Sequence, residues 1–237
     1  MKKLSLYCLG VVIFLGGCNK SPFERTEDPS NGGAVNAFGS GNFVIFSSEL
    51  KSGGGAFLYP GAENQTLSFS DRSNPVSARS IRYSWNGQDV SSSNGLEHTF
   101  AGFDLMHTAQ FSDYATTPGR DLRQAGYRRV TFYARGSLTT NNVVKVEVAD
   151  PSTPSPCMVL SANGTDDDSD VTTAATCTNT AQLTSDWRSY SITVSNTALA
   201  GIKDYFKATF VYKVPFVGST AAGQGGIVYF DQIQYEP

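Results

Sequence analysis

Apolar residues recur at every second position along much of this chain. Ile81, Tyr83 and Trp85 alternate with Arg82 and Ser84. Val130, Phe132 and Ala134 alternate with Thr131, Tyr133 and Arg135. Val144, Val146 and Val148 alternate with Lys145 and Glu147; Tyr190, Ile192 and Val194 alternate with Ser191 and Thr193; Ala208, Phe210 and Tyr212 alternate with Lys207, Thr209 and Lys213. Successive side chains of a β-strand point to opposite faces, so the pattern marks strands with one hidden and one wet face. Residues 43–46, 66–69, 99–107 and 227–235 supply further strands, and Asn86-Gly87 after Trp85 is the dipeptide of a tight hairpin turn. Eight or more strands of this kind predict an all-β fold, an antiparallel β-sandwich or a barrel. Only residues 199–205 have the spacing of a helical turn.

The amino terminus obeys a different logic. Met1-Lys2-Lys3 is positive, and residues 4–15 are uncharged and largely apolar. That run falls short of the roughly 20 residues of a spanning helix and fits the core of a secretory signal. It ends in Leu15-Gly16-Gly17-Cys18, which resembles the lipobox of bacterial lipoproteins. The resemblance implies a signal peptide over 1–17, lipid attachment at Cys18 and membrane association through that anchor, since two or more acyl chains hold a protein stably. Asn19 stands where many inner-membrane lipoproteins carry Asp, which favours an outer-membrane address in the cell envelope. Residues 18–42, rich in Gly, Ser, Pro and Asn and without hydrophobic periodicity, read as a flexible tether reaching roughly 25 Å. The domain proper then occupies 43–237.

Loss of Lys2 and Lys3 leaves 16 basic against 21 acidic residues, a net charge of −5. With no basic stripe, this balance argues against a nucleic-acid partner. Cys8 leaves with the signal and Cys18 carries lipid, so Cys157 and Cys177 remain as an even pair in an oxidising compartment and are expected to form a disulfide. They bracket a Pro-, Ser-, Thr- and Asp-rich insertion at 150–186, whose length is unusual for a connection in a compact domain.

The order and spacing of the strands resemble the galactose-binding-like jelly roll used by many carbohydrate-binding modules. Val44-Ile45-Phe46-Ser47-Ser48-Glu49-Leu50 looks like the opening strand, and Ser77-Ala78-Arg79-Ser80-Ile81-Arg82-Tyr83 like the small-residue segment that leads into a strand. Residues 126–136 resemble the central strand that ends in Arg-Gly. Asp186-Trp187-Arg188-Ser189-Tyr190 resembles the tryptophan that precedes an alternating strand, and Tyr229-Phe230-Asp231-Gln232-Ile233 the closing strand. The resemblance implies a jelly roll, carbohydrate as partner, and a structural calcium ion between the opening and closing strands, with Glu49 and Asp231 at the matching positions. Ser47-Ser48 departs from the acidic residues often found in the opening strand, and the Cys-bracketed insertion is not a feature of the family.

Motifs for catalysis are missing. The chain has two histidines and lacks a Gly-x-Ser-x-Gly elbow, a His-Glu-x-x-His pair and the Glu-x-Asp-x-x-Glu strand of jelly-roll glucanases. Asp166, Asp168 and Asp170 alternate like the start of a calcium loop, but Val171 and Cys177 replace the Gly and Glu that an EF-hand needs, so a solvated acidic loop is the better reading. Sugar binding asks for aromatic faces against C–H surfaces and polar side chains at hydroxyls. Tyr133 and Arg135 lie on the outward parity of the central strand, Lys145 and Glu147 on the next, Asp104 and Met106 on the one before. These six are the candidate ligand-binding residues of a shared groove, while Trp85 and Trp187 read as core or rim. The function expected is a non-catalytic envelope lipoprotein that binds a polysaccharide or glycan. A protein-interaction or assembly lipoprotein is the first alternative and a polysaccharide-degrading enzyme the second.

Overall fold

The computed structural model describes residues 41–58, 65–85, 98–138, 142–150, 155–164, 177, 179–213 and 226–237. The signal segment, Cys18, nearly all of the tether, the Asn86-Gly87 turn and the Asp166, Asp168 and Asp170 run lie outside these residues. In chain order the elements are β1 (Phe43–Phe46), β2 (Gly55–Leu58), β3 (Gln65–Asp71), β4 (Ser80–Trp85), β5 (His98–Met106), α1 (Phe111–Tyr114), β6 (Arg129–Ser137), β7 (Asn142–Asp150), β8 (Cys157–Ser161), β9 (Asn179–Gln182), β10 (Arg188–Thr193), β11 (Asp204–Lys213) and β12 (Gly226–Glu236). A short 3-10 turn covers Arg123–Ala125.

The strands form two six-stranded sheets packed as a sandwich. The first runs β10-β6-β12-β4-β3, with β1 also on β12; the second runs β2-β5-β11-β7-β8-β9. Every pairing is antiparallel except β8 with β9. The period-two residues meet between the sheets. Ile81, Tyr83, Val130, Phe132, Ala134, Val144, Val146, Val148, Ala208 and Phe210 are all buried there. At the centre, Phe206 packs edge-on against Phe132 and Phe230, each at 5.3 Å between ring centres, with Phe103 beside it. Each buried Phe contributes about 1.5–3 kcal/mol through loss of apolar contact with water.

One irregularity shapes the first sheet. On β12, Val228 and Phe230 face the core, yet so do Ile233 and Tyr235, so the parity changes between them. A β-bulge makes the change: pairing with β6 slips between Asp231 and Gln234, and Gln232 has a φ of 46°. Asp231 Oδ1 accepts the Gln232 N–H at 2.8 Å and fixes the bulge. Before it β12 pairs with β4, and after it with β1. Beyond the bulge, the fully buried Tyr235 crosses the core. Its hydroxyl donates to the Tyr205 carbonyl at 2.9 Å and accepts from Ala149 N–H at 3.1 Å, tying the first sheet to the second. Burial pushes the Tyr235 and Tyr83 phenols far above their ordinary range.

Two expectations are corrected here. Residues 199–205 form turns and the start of β11 rather than a helical turn, and the one helical segment of four residues is α1. The 150–186 insertion holds β8 and β9, so part of it is sheet. Cys157-Met158-Val159-Leu160-Ser161 is buried at every position, and a strand covered on both faces shows no alternation.

Candidate functional site

The outward side of the second sheet carries a row of side chains in register. Phe57 pairs with Asp104, Asp104 with Lys207, Lys207 with Glu147, and Glu147 with Cys157. Their neighbours Phe103, Leu105, Phe206, Ala208, Val146 and Val148 point into the core, so this row points away from it. Five strands at their usual spacing make it about 19 Å long. Glu147 is the hub: Oε1 lies 3.0 Å from Lys145 Nζ and Oε2 lies 3.8 Å from Lys207 Nζ. These side chains are recessed, with 10%, 16% and 27% of Lys145, Glu147 and Lys207 exposed. Thr209 is paired with Lys145 and nearly buried, and its hydroxyl has no hydrogen-bond partner among the described residues. An unmet buried hydroxyl costs about 1–3 kcal/mol.

Two flanks bound this floor. At the β2 end the rings of Phe57 and Phe111 stack at 4.2 Å and 14°. Gly55 makes that approach possible, since a Cβ there would stand 2.4 Å from the Thr108 carbonyl oxygen. Helix α1 is held from behind: the Tyr114 hydroxyl donates to Asp204 Oδ2 at 2.7 Å, and Lys203 Nζ donates to the Tyr114 carbonyl at 2.8 Å. Phe111 remains 55% exposed on this fixed base, the most exposed large apolar residue described. At the β8 end, Val143 and Val159 cluster with Cys177, which is disulfide-bonded to Cys157 as expected.

Of the six residues expected to share a groove, Asp104, Lys145 and Glu147 do lie together. Met106 does not contribute: it is 2% exposed, at the end of β5 where the chain passes over Gly55 toward α1. Tyr133 and Arg135 lie on the outward side of the other sheet, because β6 pairs with β10 and β12 and never meets β7. Glu49 is exposed beyond the end of β1, after Ser48 has turned into the left-handed region at φ 70°. Asp231 is fully buried, and besides Gln232 N–H its carboxylate accepts the Ser77 N–H at 2.8 Å and hydroxyl at 2.6 Å. Among the described residues no group of three or more His, Cys, Asp or Glu stands together to hold a metal. The fit to calcium at Glu49 and Asp231 is therefore poor, since protein donors already occupy the buried carboxylate.

Sequence reasoning missed Phe57, Phe111, Lys207 and Thr209. Lys207 and Thr209 sit on the polar parity of a recognised strand, so the rule that selected Lys145 would have found them. Phe57 and Phe111 lie in elements too short for any periodic signal.

Comparison with known proteins gives the following. No protein-family model matches the chain, and no curated protein matches it. Among solved structures it is similar to a family 11 carbohydrate-binding module of a cellulosomal cellulase of Clostridium thermocellum, at 11% identity and TM-score 0.38, covering 84% of this chain and 95% of that one. It is similar to a family 30 carbohydrate-binding module from the same organism, at 10% identity and TM-score 0.41, covering 82% and 96%. A third is the extra C-terminal domain of an exo-1,3/1,4-β-glucanase from a Pseudoalteromonas species, at 8% identity and TM-score 0.43, covering 82% and 93%.

Proposed function

We propose that the chain is a non-catalytic, lipid-anchored protein of the cell envelope, with an outer-membrane address, that binds a carbohydrate along the outward side of its second sheet. The observation that carries this reading is the recessed row of Asp104, Lys207 and Glu147, with Lys145 beside Glu147 on β7, between an exposed aromatic stack and a disulfide-bonded flank. Carboxylates accept and ammonium groups donate, so alternating them along a line suits the paired hydroxyls of successive sugar rings. The Phe57–Phe111 stack offers a flat apolar surface to the C–H face of one ring. Mixed charges that largely cancel favour a neutral glycan in this row.

Calorimetry against a panel of neutral β-glucans and galactans tests the reading. Binding that weakens about tenfold in Phe111→Ala, an exposed side chain, supports it. Absence of binding across the panel overturns it, and turnover of any of these glycans replaces it with the degradative alternative. The anchor is tested separately: palmitate incorporation in cells should disappear in Cys18→Ser.

A further inference from the structure

The outward side of the first sheet carries chemistry that the proposed glycan row does not use. Arg135 on β6, Tyr229 on β12 and Arg82 on β4 stand opposite one another in register. The Arg135 guanidinium lies 4.2 Å from the Tyr229 ring centre and 5.2 Å from that of Trp187. One of its nitrogens donates to the Ser73 carbonyl and the Trp187 indole N–H donates to that of Asn74, so the loop after β3 pins the stack at one side. The Arg135 Nε is buried and, among the described residues, has no hydrogen-bond partner. Arg82 is half-buried and, among the described residues, meets no carboxylate.

Two guanidinium groups stand about 10 Å apart on one sheet face of a chain of net charge −3, and neither pairs with a carboxylate among the described residues. On the same face Arg129 meets Glu236 at 2.8 Å, so carboxylates are placed where this sheet needs them. Around Tyr229, among the described residues, none pairs with Arg135 or Arg82. A guanidinium presents a planar fork that matches a carboxylate or sulfate, and stacking on aromatic rings holds that fork in place. The rings of Tyr229 and Trp187 beside it offer a surface for the body of a sugar.

We infer that this face is a second site, on the opposite side of the sandwich from the neutral-glycan row, for an acidic polysaccharide whose carboxylate or sulfate groups are taken by Arg135 and Arg82. It depends on none of the residues of the first site. The two together would let one domain hold two different chains, one against each sheet.

Calorimetry of the purified domain at low ionic strength, with polygalacturonate and with heparin as probes, tests the inference. Binding of the first alone assigns a uronate ligand, and of the second alone a sulfated one. Either is expected to weaken about tenfold in Arg82→Ser, which breaks no described contact and should leave neutral-glycan binding unchanged. Arg135→Lys, which keeps charge but loses the fork, should weaken it as well. The inference is overturned if neither polymer binds the unaltered protein, if neither substitution changes the affinity, or if double-stranded DNA binds as tightly as the acidic glycans. Failure of neutral-glycan binding alone would overturn the first site and leave this one standing.

Discussion

The two outward faces of this sandwich are built on one core and solve the problem of exposed charge differently. On the second sheet Glu147 is held between two lysines, and the charges largely cancel within the row. On the first sheet the Arg135 guanidinium stacks on aromatic rings and meets a backbone carbonyl, and among the described residues no acid pairs with it or with Arg82. Internal compensation leaves a surface that selects hydroxyls by geometry, whereas missing compensation leaves one that selects by charge. Salt should separate them, since bare charge is screened and a compensated cluster much less so.

The largest effect should come from beneath both faces. Phe206→Ala opens a cavity among Phe103, Phe132 and Phe230 and is expected to cost about 3–5 kcal/mol in urea unfolding. Both faces should fail together in that variant. Failure of one alone would show that the sheets do not depend on a common core. Next in size is the disulfide: Cys157→Ser with Cys177→Ser frees a loop of separation 20 and should cost about 3 kcal/mol. The loss belongs to the second sheet, so neutral-glycan affinity should fall while acidic-glycan affinity holds in protein that remains folded.

A smaller effect separates the core from both faces by pH. Burial raises the Tyr83 phenol above its ordinary value near 10. The unfolded chain ionises there first, so this contribution is intact below about pH 10 and is lost as pH rises above it. Tyr83→Phe should make the alkaline decline in melting temperature shallower, and an unchanged decline would contradict the assignment. Smallest of all is the response to a chelator. Asp231 already accepts three protein hydrogen bonds, so removing calcium should not measurably shift the melting temperature. A clear fall would restore the ion to Asp231 and Glu49.

Period-two alternation located β4, β6, β7, β10 and β11, because each has one wet and one hidden face. β8 escaped because it is covered on both sides, and β2 and β9 because four residues are too few to establish a period. The site was legible in halves. Parity correctly turned Lys145, Glu147 and Arg135 outward, but parity reports the side of a strand and is silent on the sheet to which the strand belongs. β6 and β7 are consecutive in the chain and lie in different layers, so Tyr133 and Arg135 were grouped with residues on the far side of the molecule. The bulge at Asp231–Gln232 was equally hidden, since one left-handed residue shifts parity without altering composition.

Calorimetric titration of Glu147→Gln and Arg82→Ser with one neutral and one acidic glycan each bears most directly on the division between the faces. The Glu147 substitution should weaken only the neutral ligand, and the Arg82 substitution only the acidic one, each by about tenfold. If both substitutions weaken the same ligand to the same degree, there is one binding surface and the two-faced arrangement is wrong.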